Sequence, residues 1–221
     1  MDARVQTERM MASAEGRPEF SVVSPVRNEA ENVESLVREI AQALAGRAFE
    51  IIFVDDSSQD DTRARLFALK DKIPNLRVIG HRKNAGQSRA VRTGVLAARS
   101  PVVLTLDGDG QNDPGDLPGL LAQLNRADAP GDLGLVQGRR DKRIDSGWKK
   151  FGSRFANNIR RSMLKDSNTD SGCGMRAFKR DAYLQIPYFD HMHRYLPALM
   201  QSEGFMVEER AVGHRARQHG Q

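Results

Sequence analysis

Pro101-Val102-Val103-Leu104-Thr105-Leu106-Asp107-Gly108-Asp109-Gly110-Gln111 is the stretch on which the reading of this chain turns. Six apolar or β-branched positions make a strand-sized run, too short for a buried helix, and two aspartates follow at alternate positions. Alternate residues of an extended segment share a face, so Asp107 and Asp109 can approach one ligand, and the glycines permit close backbone approach. Two converging carboxylates repel unless a proton or cation lies between them, and a hard divalent ion bridging to a diphosphate resolves the conflict. A solvated turn is the plainer alternative, because Asp and Gly are ordinary turn residues. An EF-hand is a poor rival: its loop needs a Glu at the twelfth position, and here Gln111, Asp113 and Pro114 follow Asp109.

Outward from this run the same rhythm repeats. Phe20–Ser24, Ile51–Val54, Leu76–Ile79 and Val102–Leu106 read as strands, with a weaker fifth at Leu133–Gln137. Helical spacing of apolar residues occupies Ala30–Leu44, Thr62–Ile73 and Ser88–Ala98, and Pro114 can open a helix carrying Leu117, Leu120, Leu121 and Leu124. The alternation predicts an α/β fold, a mostly parallel sheet flanked by helices, because parallel strands need crossover connections. Beyond Arg139 the pattern loosens into a basic amphipathic helix at Trp148–Met163, a short strand at Met175–Phe178, a helix at Arg194–Glu203 and an extended Phe205–Val212.

The chain has 221 residues with a formal net charge of +5, 39% hydrophobic and 29% charged, which excludes a wholly disordered polymer. The positive balance favours anionic partners without choosing among them, and nucleic-acid binding rests on charge alone, with no RNP-like motif or zinc knuckle. One cysteine, Cys173, excludes a disulfide framework and reads as a small buried residue rather than a nucleophile. No apolar run reaches the ~18–20 residues of a membrane span. Residues 1–18 lack an apolar signal core and read as a flexible N-terminal tail, with residues 19–221 forming one domain.

Sheets of this kind bind ligands beyond the carboxyl ends of their strands. There the first strand runs into Pro25-Val26-Arg27-Asn28-Glu29, the second into Asp55-Asp56-Ser57-Ser58, and the fourth into Asp107 and Asp109. Asp55 and Asp56 can each cap the next helix or accept hydrogen bonds from a base or ribose. Asn84-Ala85-Gly86-Gln87 precedes a helix and can turn backbone N–H groups toward an anion or ribose. No Gly-x-Gly-x-x-Gly follows the first strand, which argues against a nicotinamide-dependent oxidoreductase.

Together these segments resemble family 2 glycosyltransferases with the Rossmann-like GT-A fold, in particular the dolichol-phosphate mannose synthase-like branch acting on polyprenyl phosphates. Val54-Asp55-Asp56-Ser57-Ser58-Gln59-Asp60-Asp61-Thr62 is similar to that family's Val-Asp-Asp-Gly-Ser-x-Asp-x-Thr motif, with Ser57 in place of the usual glycine. Asn84–Gly94 resembles its Asn-x-Gly…Ala…Gly segment, and Leu106–Pro114 its Asp-x-Asp-x-Gln…Pro signature.

The resemblance implies that Pro25, Asn28, Glu29, Asp56 and Gly86 line a nucleotide pocket. Asp107 contacts the nucleotide sugar, and Asp109 with Gln111 holds Mg²⁺ or Mn²⁺. Arg140 lies near the acceptor, Lys149 and Ser153 fall where the family binds the lipid phosphate, and Arg217 closes over the donor phosphates. For the helix around Lys149 a solvated face is the alternative, and His191 and His193 read as surface or packed histidines rather than ligands.

The implied activity is metal-dependent, inverting transfer from a GDP- or UDP-sugar to dolichyl or undecaprenyl phosphate, in cell-envelope glycan synthesis. A protein of that kind works in the cytoplasm, peripherally at the cytoplasmic membrane face, with no nucleic acid. Two alternatives stay open: a saccharide hydroxyl acceptor, for which Asp170 is the first candidate base, and a non-catalytic nucleotide-sugar binding module. In the family the segment His214-Arg215-Ala216-Arg217 continues into Ser-Lys; this sequence stops at Gln221, as a truncated or short form would.

Overall fold

The computed structural model describes residues 16–140, 170 and 172–217. Residues 1–15 of the expected tail, the expected helix Trp148–Met163 with Lys149 and Ser153, and residues 218–221 lie outside the described residues. Seven strands form one sheet in the order β3-β2-β1-β4-β6-β5-β7. They are β1 (Phe20–Val26), β2 (Phe49–Asp55), β3 (Leu76–Gly80), β4 (Val102–Thr105), β5 (Leu133–Arg140), β6 (Arg176–Lys179) and β7 (Met206–Val212). The helices are α1 (Val33–Ala43), α2 (Thr62–Lys70), α3 (Gln87–Ala97), α4 (Leu117–Leu124), α5 (Arg180–Gln185) and α6 (Leu196–Ser202).

Apolar strands without polar alternation are what a sheet covered on both faces requires. In β2, Ile51 and Phe53 enter one core cluster while Ile52 and Val54 enter the other. The first cluster takes Leu36, Val37 and Ile40 of α1, Leu66 and Leu69 of α2, and the four α4 leucines. The second takes Ala90, Val91 and Val95 of α3, Tyr183 of α5, and Leu196 and Met200 of α6. The result is three layers, helix–sheet–helix, as the sequence predicts.

Two features depart from a simple parallel alternation. β6 runs antiparallel between β4 and β5, pairing Thr105 with Arg176 and Gln137 with Arg176. That reversal brings the start of β6 to the same edge as the end of β4. The expected helix over Arg194–Glu203 is shorter, because a 3₁₀ turn (Met192–Arg194) precedes α6 and Pro197 stands in its first turn. Among the described residues no helix is long and apolar enough to cross a membrane.

β1, β2 and β4 run parallel, and the chain order changes direction between β1 and β4. The carboxyl edge beside that switch point is where the acidic motifs fall.

Candidate active site

The segment after β4 is folded back by its own side chains. The Asp107 N–H donates to Asn112 Oδ1 at 2.8 Å, and the Gln111 N–H donates to Asp109 Oδ1 at 3.1 Å. Gly110 adopts φ +73°, and a β-carbon at Gly108 would run into the Val26 side chain and the Pro25 carbonyl. A glycine is therefore required where this loop crosses the end of β1. Asp107 is hemmed in by protein, and a β-carbon at Gly174 would collide with its carboxylate. Burial first, and the neighbouring Asp109 second, push the Asp107 carboxyl up to about 6, against the pull of Arg176, Arg140 and a Gln87 hydrogen bond.

Asp56 closes a second loop onto the same edge. Its carboxylate accepts the Ala85 N–H at 2.8 Å and the Gly86 N–H at 2.7 Å, and His81 Nδ1 lies 2.7 Å away. Gly86 has φ +85° and leads into α3, whose first residue Gln87 donates Nε2–H to Asp107 Oδ1 at 2.8 Å. A continuous path thus joins the end of β2 to the end of β4. Asp55 is fully buried and structural: Arg63 Nε donates to it at 2.6 Å and the Ser58 N–H at 3.1 Å. Neither Asp55 nor Asp56 caps α2. Asp61 stands at the N-cap without a side-chain bond, and Asp60, one residue earlier, accepts from the Thr62 N–H and hydroxyl. Ser57 adopts φ +63°, the left-handed conformation that a glycine supplies at lower cost.

The end of β1 contributes Asn28 and Glu29. Asn28 takes φ +55° and accepts the Gln59 N–H through Oδ1 at 2.8 Å, while Glu29 accepts Asn32 Nδ2–H at 2.6 Å. Burial first, then Asp109 and Asp60, raise the Glu29 carboxyl, opposed by Asn32 and Arg217. Beside them is a depression of about 300 Å³ lined by Asn28, Glu29, Asn32 and Asp60. The final described segment crosses this edge. His214 bridges Asn112, the Arg215 N–H donates to the Gln111 carbonyl at 2.8 Å, and Arg215 pairs with Asp113 at 2.9 Å and Glu39 at 2.5 Å. The Arg217 guanidinium then lies 3.4 Å from Asp109 and 3.7 Å from Glu29.

Among the described residues no three His, Cys, Asp or Glu side chains converge as a ready-made metal cage. The donor set still suits Mg²⁺ or Mn²⁺. Such ions take hard oxygens, and Mg²⁺ is commonly held by one or two carboxylates with substrate phosphates completing the shell. The juxtaposition of Asp107, Asp109 and Glu29, and the guanidinium already beside Asp109, mark the place as one that favours positive charge.

The structure gathers Pro25, Asn28, Glu29, Asp56, Gly86, Asp107, Asp109, Gln111 and Arg217 along one edge. Arg140, expected near the acceptor, and Asp170, the first candidate base, grip each other, Nε and Nη2 each 2.7 Å from a carboxylate oxygen. Four residues at the site receive no individual role from the sequence. Gln87 and His81 hold Asp107 and Asp56, Gly174 leaves room for Asp107, and buried Arg176 donates to Gln137 at 2.8 Å. Gln87 carried a readable signal, a polar side chain opening a helix straight after Gly86. Cys173 is buried and its thiol is pushed up to about 11, so it is inert as expected.

The family model for glycosyl transferase family 2 matches residues 21–186. Dodecaprenyl-phosphate galacturonate synthase of Rhizobium johnstonii is 33% identical over 209 residues, covering 91% of this chain and 60% of that protein. Undecaprenyl-phosphate 4-deoxy-4-formamido-L-arabinose transferase of Pseudomonas paraeruginosa is 34% identical over 205 residues, covering 91% of this chain and 59% of that protein. The chain thus spans about 60% of the length of these curated relatives. Among solved structures, glucosyl-3-phosphoglycerate synthase from Mycobacterium tuberculosis, in complex with Mn²⁺, UDP-glucose and glycerol 3-phosphate, superposes with TM-score 0.72 at 19% identity, covering 96% of this chain and 76% of that one. A mannosyltransferase from Pyrobaculum calidifontis in complex with GDP-mannose and Mn²⁺ gives 0.67 at 19% identity, covering 93% of this chain and 58% of that one. At such identities the structural likeness speaks for the fold.

Proposed function

The chain belongs to glycosyl transferase family 2, and from that premise we propose that it moves a sugar from a nucleotide-diphosphate sugar to a polyprenyl phosphate with inversion at the anomeric carbon. The observation that carries this reading is the convergence of Asp107, Asp109, Glu29 and Arg217 beside the switch point of the sheet. The names of the polyprenyl-phosphate relatives support the acceptor class.

Asp109 and Gln111 would hold Mg²⁺ or Mn²⁺ together with the donor diphosphate, and the ion would supply Lewis-acid stabilisation of the leaving phosphate. Asp107, fixed by Gln87 and packed under Gly174, orients a hydroxyl of the donor sugar. Asn28, Glu29 and the Asp56–Gly86 loop frame the nucleoside. Arg217 adds positive charge where the leaving group develops negative charge. A phosphate monoester acceptor is largely ionised near neutral pH, its second pKa being ~6, and needs no general base. The Arg140–Asp170 fork fits that economy: the carboxylate first in line to act as a base is occupied by a guanidinium. With a lipid acceptor the reaction takes place at a membrane surface, with Lys149 and Ser153 as candidate contacts for its phosphate.

The test is a thermal-shift and transfer experiment with GDP, UDP and their sugars, with and without Mn²⁺. Ligands selective for the native state raise its apparent stability. Metal-dependent shifts that vanish in Asp109→Ala, and labelled sugar appearing on polyprenyl phosphate, are the expected result. Protein that shows no metal-dependent nucleotide binding and no transfer to polyprenyl phosphate overturns this reading.

A further inference from the structure

The turn preceding α6 makes a contact with α3 that the proposed chemistry does not use. His191 takes φ +65° and starts the 3₁₀ turn, in which Met192 is buried in the second core cluster. The next residue, His193, points its ring at the head of α3: Nδ1 lies 2.6 Å from Ser88 Oγ, and the His193 N–H donates back to the same oxygen at 3.3 Å. Ser88 is 3% exposed. A hydroxyl so placed, at the second residue of a helix and gripped twice by one residue 105 positions away, ties the start of α3 to a distant loop.

What lies on that first turn gives the contact its consequence. Gly86, one residue before the helix, holds Asp56, and Gln87, its first residue, holds Asp107. Gly86 has a left-handed backbone, a β-carbon there would meet nothing within 4 Å, and its N–H is held by Asp56 at 2.7 Å and Asn84 Oδ1 at 3.1 Å. Burial, helped by Arg176, Arg194 and His191, lowers the His193 ring to about 4, leaving a neutral imidazole whose Nδ1 can accept the Ser88 hydroxyl proton at neutral pH.

We propose that His193 is a positioning residue for donor binding: by clamping Ser88 it fixes the first turn of α3, and with it the Gly86 amide and the Gln87 side chain that set Asp56 and Asp107. This inference rests on the reading of that edge as the donor site. A hydrogen bond whose loss leaves a buried partner unsatisfied affects an equilibrium by roughly tenfold.

The experiment compares wild type with His193→Ala, His193→Asn, Ser88→Ala and Gln87→Ala, reading amide exchange at Gly86 and Gln87 and the affinity for UDP and GDP with Mn²⁺. His193→Ala should speed exchange there and weaken nucleotide binding by roughly tenfold each, while His193→Asn, which restores a polar group near Ser88, should recover most of both. Ser88→Ala, a smaller change, carries the test if His193→Ala does not fold. In the Gln87→Ala background His193→Ala should have a smaller effect on binding than in wild type, because the Gln87–Asp107 branch is already lost and only the Gly86–Asp56 branch remains. Effects that multiply, or unchanged exchange at Gly86 and Gln87, overturn the inference. Wild-type protein that binds neither nucleotide overturns the donor-site reading instead.

Discussion

Asp107→Asn should make the protein more stable at neutral pH while impairing donor binding. The ordinary value of 3.8 for this carboxyl rises to about 6 in the fold, chiefly through burial and then through Asp109. Below the lower value both folded and unfolded chains keep the proton, and the shift has no effect on stability. Between the two values the unfolded chain releases the proton and the folded chain retains it, so stability falls as pH rises. Above the higher value the full cost is present. Roughly two pKa units at ~1.4 kcal/mol each set an upper bound near 3 kcal/mol, and sharing of charge with Asp109 and partial solvent contact reduce it to about 1–2 kcal/mol. Asparagine keeps the shape and an oxygen for Gln87 but carries no charge. Chemical denaturation at pH 7.5 should therefore favour the variant by about 1–2 kcal/mol, or ~2–8 °C in Tm, and the advantage should disappear near pH 4. The same variant should bind the nucleotide sugar more weakly, with affinity for the free nucleotide and Mn²⁺ less affected, a trade of stability against function. A variant less stable than wild type at pH 7.5, or one whose advantage is the same at both pH values, would refute the reasoning.

Two further substitutions probe the backbone around the site. Ser57→Gly removes a left-handed penalty of about 1–2 kcal/mol and adds about 0.5–1 kcal/mol of unfolded-state entropy, so a net gain near 0.5 kcal/mol is expected in urea midpoints. A loss of similar size would mean that the serine side chain supports the turn. Gly174→Ala drives a methyl into the Asp107 carboxylate, whose side chain can swing aside, so about 1–3 kcal/mol of stability should be lost without unfolding. Nucleotide-sugar binding measured by calorimetry should fall with it, and intact binding of the nucleotide sugar would show that the position of Asp107 is immaterial.

Much of this was legible because the signals are local. Strands buried on both faces spell themselves as unbroken apolar runs, as Ile51–Val54 does, and α1 places Val33, Leu36, Val37 and Ile40 on one buried stripe. α5 escaped notice for the same reason: six residues with only Ala182 and Tyr183 buried leave no period to read. Strand direction is not local at all. Met175–Phe178 reads as a strand, yet nothing in it states that β6 runs antiparallel between β4 and β5. The site divides in the same way. Asp107 and Asp109 declare themselves by spacing, whereas the Arg140–Asp170 fork joins residues 30 apart and His193–Ser88 residues 105 apart. Asp60 rather than Asp55 or Asp56 serves α2 because β2 continues through Asp55, and the helix does not begin until Thr62.

The carboxylates at this edge are not equivalent, and their partners separate them into two kinds. Asp55 is fully buried with Arg63 2.6 Å away, and Asp56 is held by two backbone amides and a histidine. Removing such partners strands a buried charge, so Asp55 serves the fold, and Asp56 closes the loop that frames the proposed nucleoside site. Glu29, Asp107 and Asp109 differ. The first two have raised carboxyl pKa values, and the guanidinium that Asp109 shares with Glu29 stands at 3.4 and 3.7 Å, longer than a strong charge-assisted contact. Arg217 is two residues beyond Arg215, whose pairs to Glu39 and Asp113 are short, so the segment stays anchored even when its last arginine lets go. On the proposed reading, a divalent cation bound at Asp109 would replace the long Arg217 contact while the short Arg215 pairs keep the segment in place. The same exchange at Asp55 would dismantle the β2–α2 turn. Surplus negative charge with a replaceable partner is what distinguishes a carboxylate able to receive a ligand from one that holds the protein together.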